Sequence, residues 1–188
     1  MIGMLNRLSM IRISLGHACC AALAAFFVLA FSAPHSAHAG DAPKLAYLGT
    51  FLQNDNEGLE PTTDAERARL VRTGEQFTQL IADSGEFRIA PLSAAEQARI
   101  KAGQLPGECG GCETGYGKTV GADVVAWIKV QKVSNLILNM NVYIVDVATG
   151  RGLLIKSVDL RGNTDDSWSR SLKYLVKNRV LPANIKPS

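Results

Sequence analysis

The sequence predicts an α/β fold: a single two-layer sandwich whose mixed sheet ends in a three-stranded antiparallel meander, with helices on one face. Strand-like and helix-like segments alternate through the first part of the mature chain. Two Ser/Thr-x-x-Glu boxes, Thr63 with Glu66 and Ser93 with Glu96, open the helical segments. Long period-two segments then follow one another across turns too short for a crossover, at Ser134-Asn135 and Ala148-Thr149-Gly150.

The first segment is a leader. Arg7 and Arg12 precede the apolar run Ala18 to Phe31, and Ala37-His38-Ala39 supplies the small residues a signal peptidase needs. The apolar run is too short to span a bilayer and follows Cys19 instead of preceding it, so neither a membrane anchor nor a lipidated cysteine is expected. Residues 1–39 therefore read as a signal peptide cleaved after Ala39, and residues 40–188 as one exported periplasmic domain.

In the mature chain, Lys44 to Phe51 reads as a first strand, apolar enough to be central, and the turn-rich Gln53 to Thr63 as an exposed connection. From the Thr63 cap, Leu70, Gly74, Phe77, Leu80 and Ile81 share one helical face until Ser84-Gly85, while Arg67, Arg69 and Arg72 read as a solvated face. Phe87 to Leu92 is a short strand, and the Ser93 box opens a helix ending at Gly103. A small helix is expected over Glu113 to Val120. The meander strands follow at Asp123 to Val133, Leu136 to Val147 and Arg151 to Leu160. Val124, Ala126, Ile128 and Val130, with Leu136, Leu138, Met140, Val142 and Ile144, make the inward face. A last helix starts near Thr164, puts Trp168, Leu172, Leu175 and Val176 on one side, and ends before Pro182.

Composition excludes several chemistries. All three histidines (His17, His35, His38) lie in the leader, so the mature chain cannot build a Ser-His-Asp triad, a Cys-His pair or a histidine-ligated zinc site. Cys109 and Cys112 are too few for a four-cysteine site, and Glu113 stands where a c-type haem motif needs histidine. No Walker loop or dinucleotide fingerprint is present, so no cofactor and no metal is expected. The chain carries 20 Lys+Arg against 17 Asp+Glu, and two of the arginines belong to the leader, so the mature charge is near neutral and nucleic acid is not an expected partner. No second apolar run reaches membrane-spanning length.

Three groups remain as candidate sites. Cys109 and Cys112 read as a structural disulfide in an oxidising compartment, with a redox-active pair and half of a metal site shared with another chain as alternatives. Trp127, Lys129, Gln131, Asn139, Asn141 and Tyr143 fall on the reverse face of the meander, which is either an open interaction surface or an ordinary solvent face. Arg161, Asn163 and Asp165 crowd a strand-to-helix junction, where capping accounts for every residue except Arg161.

The runs Gly121-Ala122-Asp123-Val124-Val125, Lys132 to Asn139, Asp146-Val147-Ala148-Thr149-Gly150 and Asp159 to Trp168 resemble a bacterial domain-of-unknown-function family, numbered 2380. More remotely, a helix ending in Gly-Ala-Asp and a strand ending in Asp-Val-x-Thr-Gly look like the periplasmic α/β domains of CsgG, LpoB and the TolB N-terminus. That resemblance implies an interaction module of an envelope assembly. The expected function is accordingly a non-enzymatic periplasmic binding or adaptor protein, with an unidentified envelope protein as partner and a homo-oligomer left open. The alternatives are a thiol-redox protein and a small-ligand or cofactor carrier.

Overall fold

Residues 42–188 are described in the computed structural model, and the expected leader with its expected cleavage after Ala39 lies outside the described residues. The chain runs β1 (Lys44–Asn54), α1 (Asp64–Ser84), β2 (Arg88–Ala90), α2 (Ala94–Ala102), α3 (Cys112–Thr119), β3 (Val124–Ser134), β4 (Ile137–Asp146), β5 (Gly152–Leu160) and α4 (Asp165–Leu175). A π-helical turn over Val176–Val180 and a 3-10 turn over Leu181–Ala183 follow. The strands form one five-stranded sheet in the order β2-β1-β3-β4-β5. β1 pairs in parallel with both β2 and β3, and β3, β4 and β5 form the antiparallel meander.

Local chemistry sets the helix starts. Thr63 and Ser93 each close a full capping box with Glu66 and Glu96, and Thr164 caps α4 by accepting from the Ser167 N–H. The two longest helices, α1 and α4, cover one sheet face. Phe77 and Ile81 from α1 and Trp168, Leu172 and Leu175 from α4 are buried against Leu45, Val124, Ile128, Met140 and Ile144. Each such side chain contributes on the order of 1.5–3 kcal/mol of burial, which makes this layer the main source of stability.

A smaller cluster lies on the opposite face. Ile100 of α2 and Tyr116 of α3 pack with Ala46, Leu48, Val125, Trp127 and Val147. Gly117 permits the close approach of α3, because a Cβ there would fall 2.6 Å from both Val125 and Val147. The half of this face toward the start of β3 is thereby covered, and the half toward Gln131 and Asn139 is not.

Side-chain alternation along β1 is interrupted. Tyr47 pairs with Ala126 and Gly49 with Trp127, so Leu48 is an extra residue in the ladder. Ala46 and Leu48 join the smaller cluster, whereas Leu45, Tyr47 and, beyond the bulge, Leu52 pack with the main core. The Tyr47 hydroxyl bridges the irregularity to Thr50 Oγ1 at 2.6 Å.

Two local expectations change. Leu136 was placed on the inward face, but it is 84% exposed, because it sits in the β3–β4 turn and β4 begins only at Ile137. Arg69 was placed on a solvated face, but its side chain is only 14% exposed and pairs with Asp165 at 2.6 Å, because α4 packs alongside α1.

Candidate functional site

The reverse face of the meander carries all six sequence candidates, five of them partly exposed. Lys129 pairs with Asn141 and Gln131 with Asn139 across β3 and β4, and Tyr143 stands opposite Ile155 on β5. Each of the three amides has one of its two polar groups bonded within the face. Asn141 Nδ2 donates to Asn139 Oδ1 at 2.6 Å and to the Lys129 carbonyl at 3.2 Å, and Gln131 Nε2 donates to Asp55 Oδ2 at 2.8 Å. Hydrogen bonds from Gln131 and Gln53 hold the Asp55 carboxyl below its ordinary range. Two apolar residues that the sequence reading did not select complete the surface. Ile155 is 66% and Ile137 62% exposed, and the alternation of β4 and β5 puts both on this side.

Trp127 is the sixth candidate, and it is not on the surface. It is 3% exposed, stacked on Tyr143 with ring centroids 5.0 Å apart. The loop before α3 covers its other side, where a Cβ on Gly107 would come within 3.0 Å of the indole. Lys129 Nζ fastens the same loop through Glu108 Oε1 at 3.1 Å. Alternation alone placed Trp127 outward and could not show that the chain folds back over it.

That loop carries the cysteines. Cys109 and Cys112 are joined as a disulfide with a Cα–Cα distance of 5.6 Å, and α3 begins at Cys112 itself, one residue earlier than expected. The cysteine pair and the meander face, separate in the sequence reading, are therefore neighbours. Both sulfur-bearing residues are half-buried, while Glu113 beside them is buried.

The third group is split by the fold. Asn163 enters a buried polar network that ties α1, β3 and α4 together, centred on Glu66, which is 0% exposed, and Asp165 joins it at the exposed rim through Arg69. Glu66 Oε1 accepts from Lys132 Nζ at 2.8 Å and from Asn163 Nδ2 at 2.7 Å, and Oε2 accepts from the Thr63 N–H at 2.7 Å. Burial alone would raise this carboxyl, but Lys132, Thr63 and Asn163 outweigh it and hold it at about 2. Asn163 Oδ1 in turn accepts from Trp168 Nε1 at 3.0 Å and Arg69 at 3.1 Å. Asp165 is held below its ordinary range by Arg69 and Arg72. Arg161 stays outside, exposed in an open cleft of about 570 Å³ beside Arg170 and Arg179. Every polar atom of the central network is matched, so it works as a structural fastener.

Sequence reasoning missed the second role of Glu66 because its capping role already accounted for it. The available signal was Lys132, whose position continues the inward series Val124, Ala126, Ile128, Val130. A lysine at an inward position calls for a buried partner.

Among the described residues no helix is long and apolar enough to cross a membrane. No curated protein matches the chain. Several solved structures align with part of the chain at low identity. The LpoB C-terminal domain from Salmonella enterica aligns with a TM-score of 0.44 and 17% identity, over 64% of this chain and 83% of that one. Lipoprotein GNA1162 from Neisseria meningitidis gives 0.46 and 13%, over 73% and 99%. TolB from Acinetobacter baumannii gives 0.44 and 14%, over 76% of this chain but 28% of that one. Residues 43–180, which hold the whole sheet, the disulfide loop and the buried network, match the family described as "Protein of unknown function (DUF2380)", and the chain belongs to that family.

Proposed function

We propose that the protein is an exported binding or adaptor module of the periplasm that works through a docking surface. The observation that carries this reading is the uncovered half of the meander face, where Tyr143, Asn139, Asn141 and Gln131 lie between exposed Ile137 and Ile155. Exposed isoleucines gain from being covered, and Asn139 Nδ2, Asn141 Oδ1 and Gln131 Oε1, which have no partner among the described residues, are open to hydrogen bonds from a partner. The leader pattern and the histidine-free mature chain support the same reading. Because Lys129 is matched by Glu108, while Asp55, bonded to the neutral Gln131 amide, and exposed Asp159 opposite Asn139 keep their negative charge, the fitting partner is an envelope protein whose contact surface mixes apolar and amide groups with some positive charge.

A photo-crosslinking residue at position 143 or 155, introduced in living cells, tests this. A specific envelope-protein adduct from those positions is expected, with none from position 67 on the exposed side of α1. An adduct from position 67 alone would move the interface to that helix. Adducts consisting of a second copy of the chain would replace the adaptor reading by self-assembly.

A further inference from the structure

The disulfide loop holds a carboxylate that docking does not use. Glu113 is only 9% exposed and makes no ion pair among the described residues. Its Oε2 has two neighbours, the Gly107 N–H at 3.4 Å and Cys109 Sγ at 3.1 Å. A disulfide sulfur has no proton to donate, so in the oxidised protein this oxygen faces a group that cannot satisfy it. Once the bond is open, Cys109 becomes a thiol that can donate to it. Cys112 stands differently, as the first residue of α3, where unpaired backbone N–H groups favour a thiolate. Gly110 and Gly111 between the sulfurs are exposed and place no side chain in the way of an incoming group.

We propose that Cys109, Cys112 and Glu113 form a thiol–disulfide exchange site, in which Cys112 engages the disulfide or dithiol of an exported protein and Glu113 moves the Cys109 proton. With the pair reduced, the Cys112 thiolate attacks one sulfur of the partner disulfide. A mixed disulfide forms, and the other partner sulfur leaves as a thiolate. Glu113 then takes the proton from Cys109, whose thiolate attacks Cys112 Sγ, re-forms the internal disulfide and expels the remaining partner sulfur as a thiolate. Two electrons pass from the pair to the partner. The proton lost to solvent by Cys112 and the one taken by Glu113 end on the two partner thiols. A partner dithiol drives every step in reverse. The site stands independently of the docking surface.

The test uses the mature chain, reduced, freed of reductant and mixed with excess glutathione disulfide at neutral pH, with acid-quenched samples read by mass spectrometry. The wild-type chain should pass through a short-lived glutathione adduct on Cys112 to the internal disulfide. Glu113→Gln should form the adduct at an unchanged rate but close the ring at least about a hundredfold more slowly, the low end of what a positioned general base contributes. Cys109→Ser should stop at the Cys112 adduct, and Cys112→Ser should react at least about tenfold more slowly. Circular dichroism checks each fold, and Glu113→Asp, which keeps the carboxylate on a shorter arm, gives an intermediate closing rate if Glu113→Gln does not fold. Ring closure by Glu113→Gln at the wild-type rate, or an adduct carried mainly on Cys109, would overturn the proposal. Crosslinking from position 143 is unaffected by either result, so the two readings fail separately.

Discussion

Lys132 and Glu66 are 1% and 0% exposed, and at such a site the charges depend wholly on one another. Losing one partner leaves the other unpaired in a low-dielectric interior. Glu66→Gln or Lys132→Met should therefore cost about 3–5 kcal/mol in urea unfolding, and the double variant much less than the sum of the two. The pH dependence has a definite sign. The Glu66 carboxyl is lowered from 4.5 to about 2 on folding, so its contribution of about 3 kcal/mol is present above 4.5 and is lost as the pH falls toward 2. Asp146, lowered by backbone N–H groups of Ser188 and Thr149, adds loss of the same sign. Urea midpoints measured between pH 7 and 2 should fall less steeply for Glu66→Gln than for the wild-type chain. The inward parity of Lys132 was legible in the sequence. Its partner was not, because nothing local says which carboxylate the first helix carries to that spot.

Element boundaries were the most legible feature, since a cap is a contact between residues three apart. Thr63, Ser93 and Thr164 each start a helix within a residue of where the sequence puts it. What the sequence could not show is where the cysteine loop folds, since the contact of Gly107 with Trp127 joins segments twenty positions apart and depends on a glycine having no side chain. The disulfide closes a very small ring, and Glu108–Lys129, Gly107–Trp127 and the fit of Gly117 hold the same element independently. Cys112→Ser should thus lower the unfolding free energy by no more than about 1–3 kcal/mol and leave the chain folded. A variant that does not fold at all would show that the covalent link, and not the packing, keeps the loop on the sheet.

At the scale of the molecule, two cores share one sheet but differ in size. The α1/α4 side buries Phe77, Trp168 and a long aliphatic series, whereas the α2/α3 side buries about half as many side chains, around Trp127, Leu48 and Ile100. Stability should be distributed in the same way. Native-state hydrogen exchange is expected to show amides of Ala94–Ala102 and Cys112–Thr119 opening at least about tenfold more readily than those of β3 and β4. Equal protection in both layers would mean that the smaller core opens only with the whole protein. The strand–helix alternation made the class of fold readable in advance. The thinner layer was not readable, because α2 and α3 are short and only weakly amphipathic, and their burial is set by the sheet beneath them.

The bulge at Leu48 has a consequence for how this lineage can vary. Downstream of it, Thr50 and Leu52 face the large core and Phe51 faces the smaller cluster, an assignment that exists only because one extra residue intervenes. Deleting a residue there would shorten the chain trivially yet exchange the two sides for the rest of the strand. Insertions at Gly58 and Leu59, by contrast, merely lengthen the exposed tip of a connection. Genuine family members should therefore drift in loop length after β1 while keeping the residue count within it, and the spacing from Tyr47 to Leu52 becomes a more durable lineage marker than the identity of either side chain.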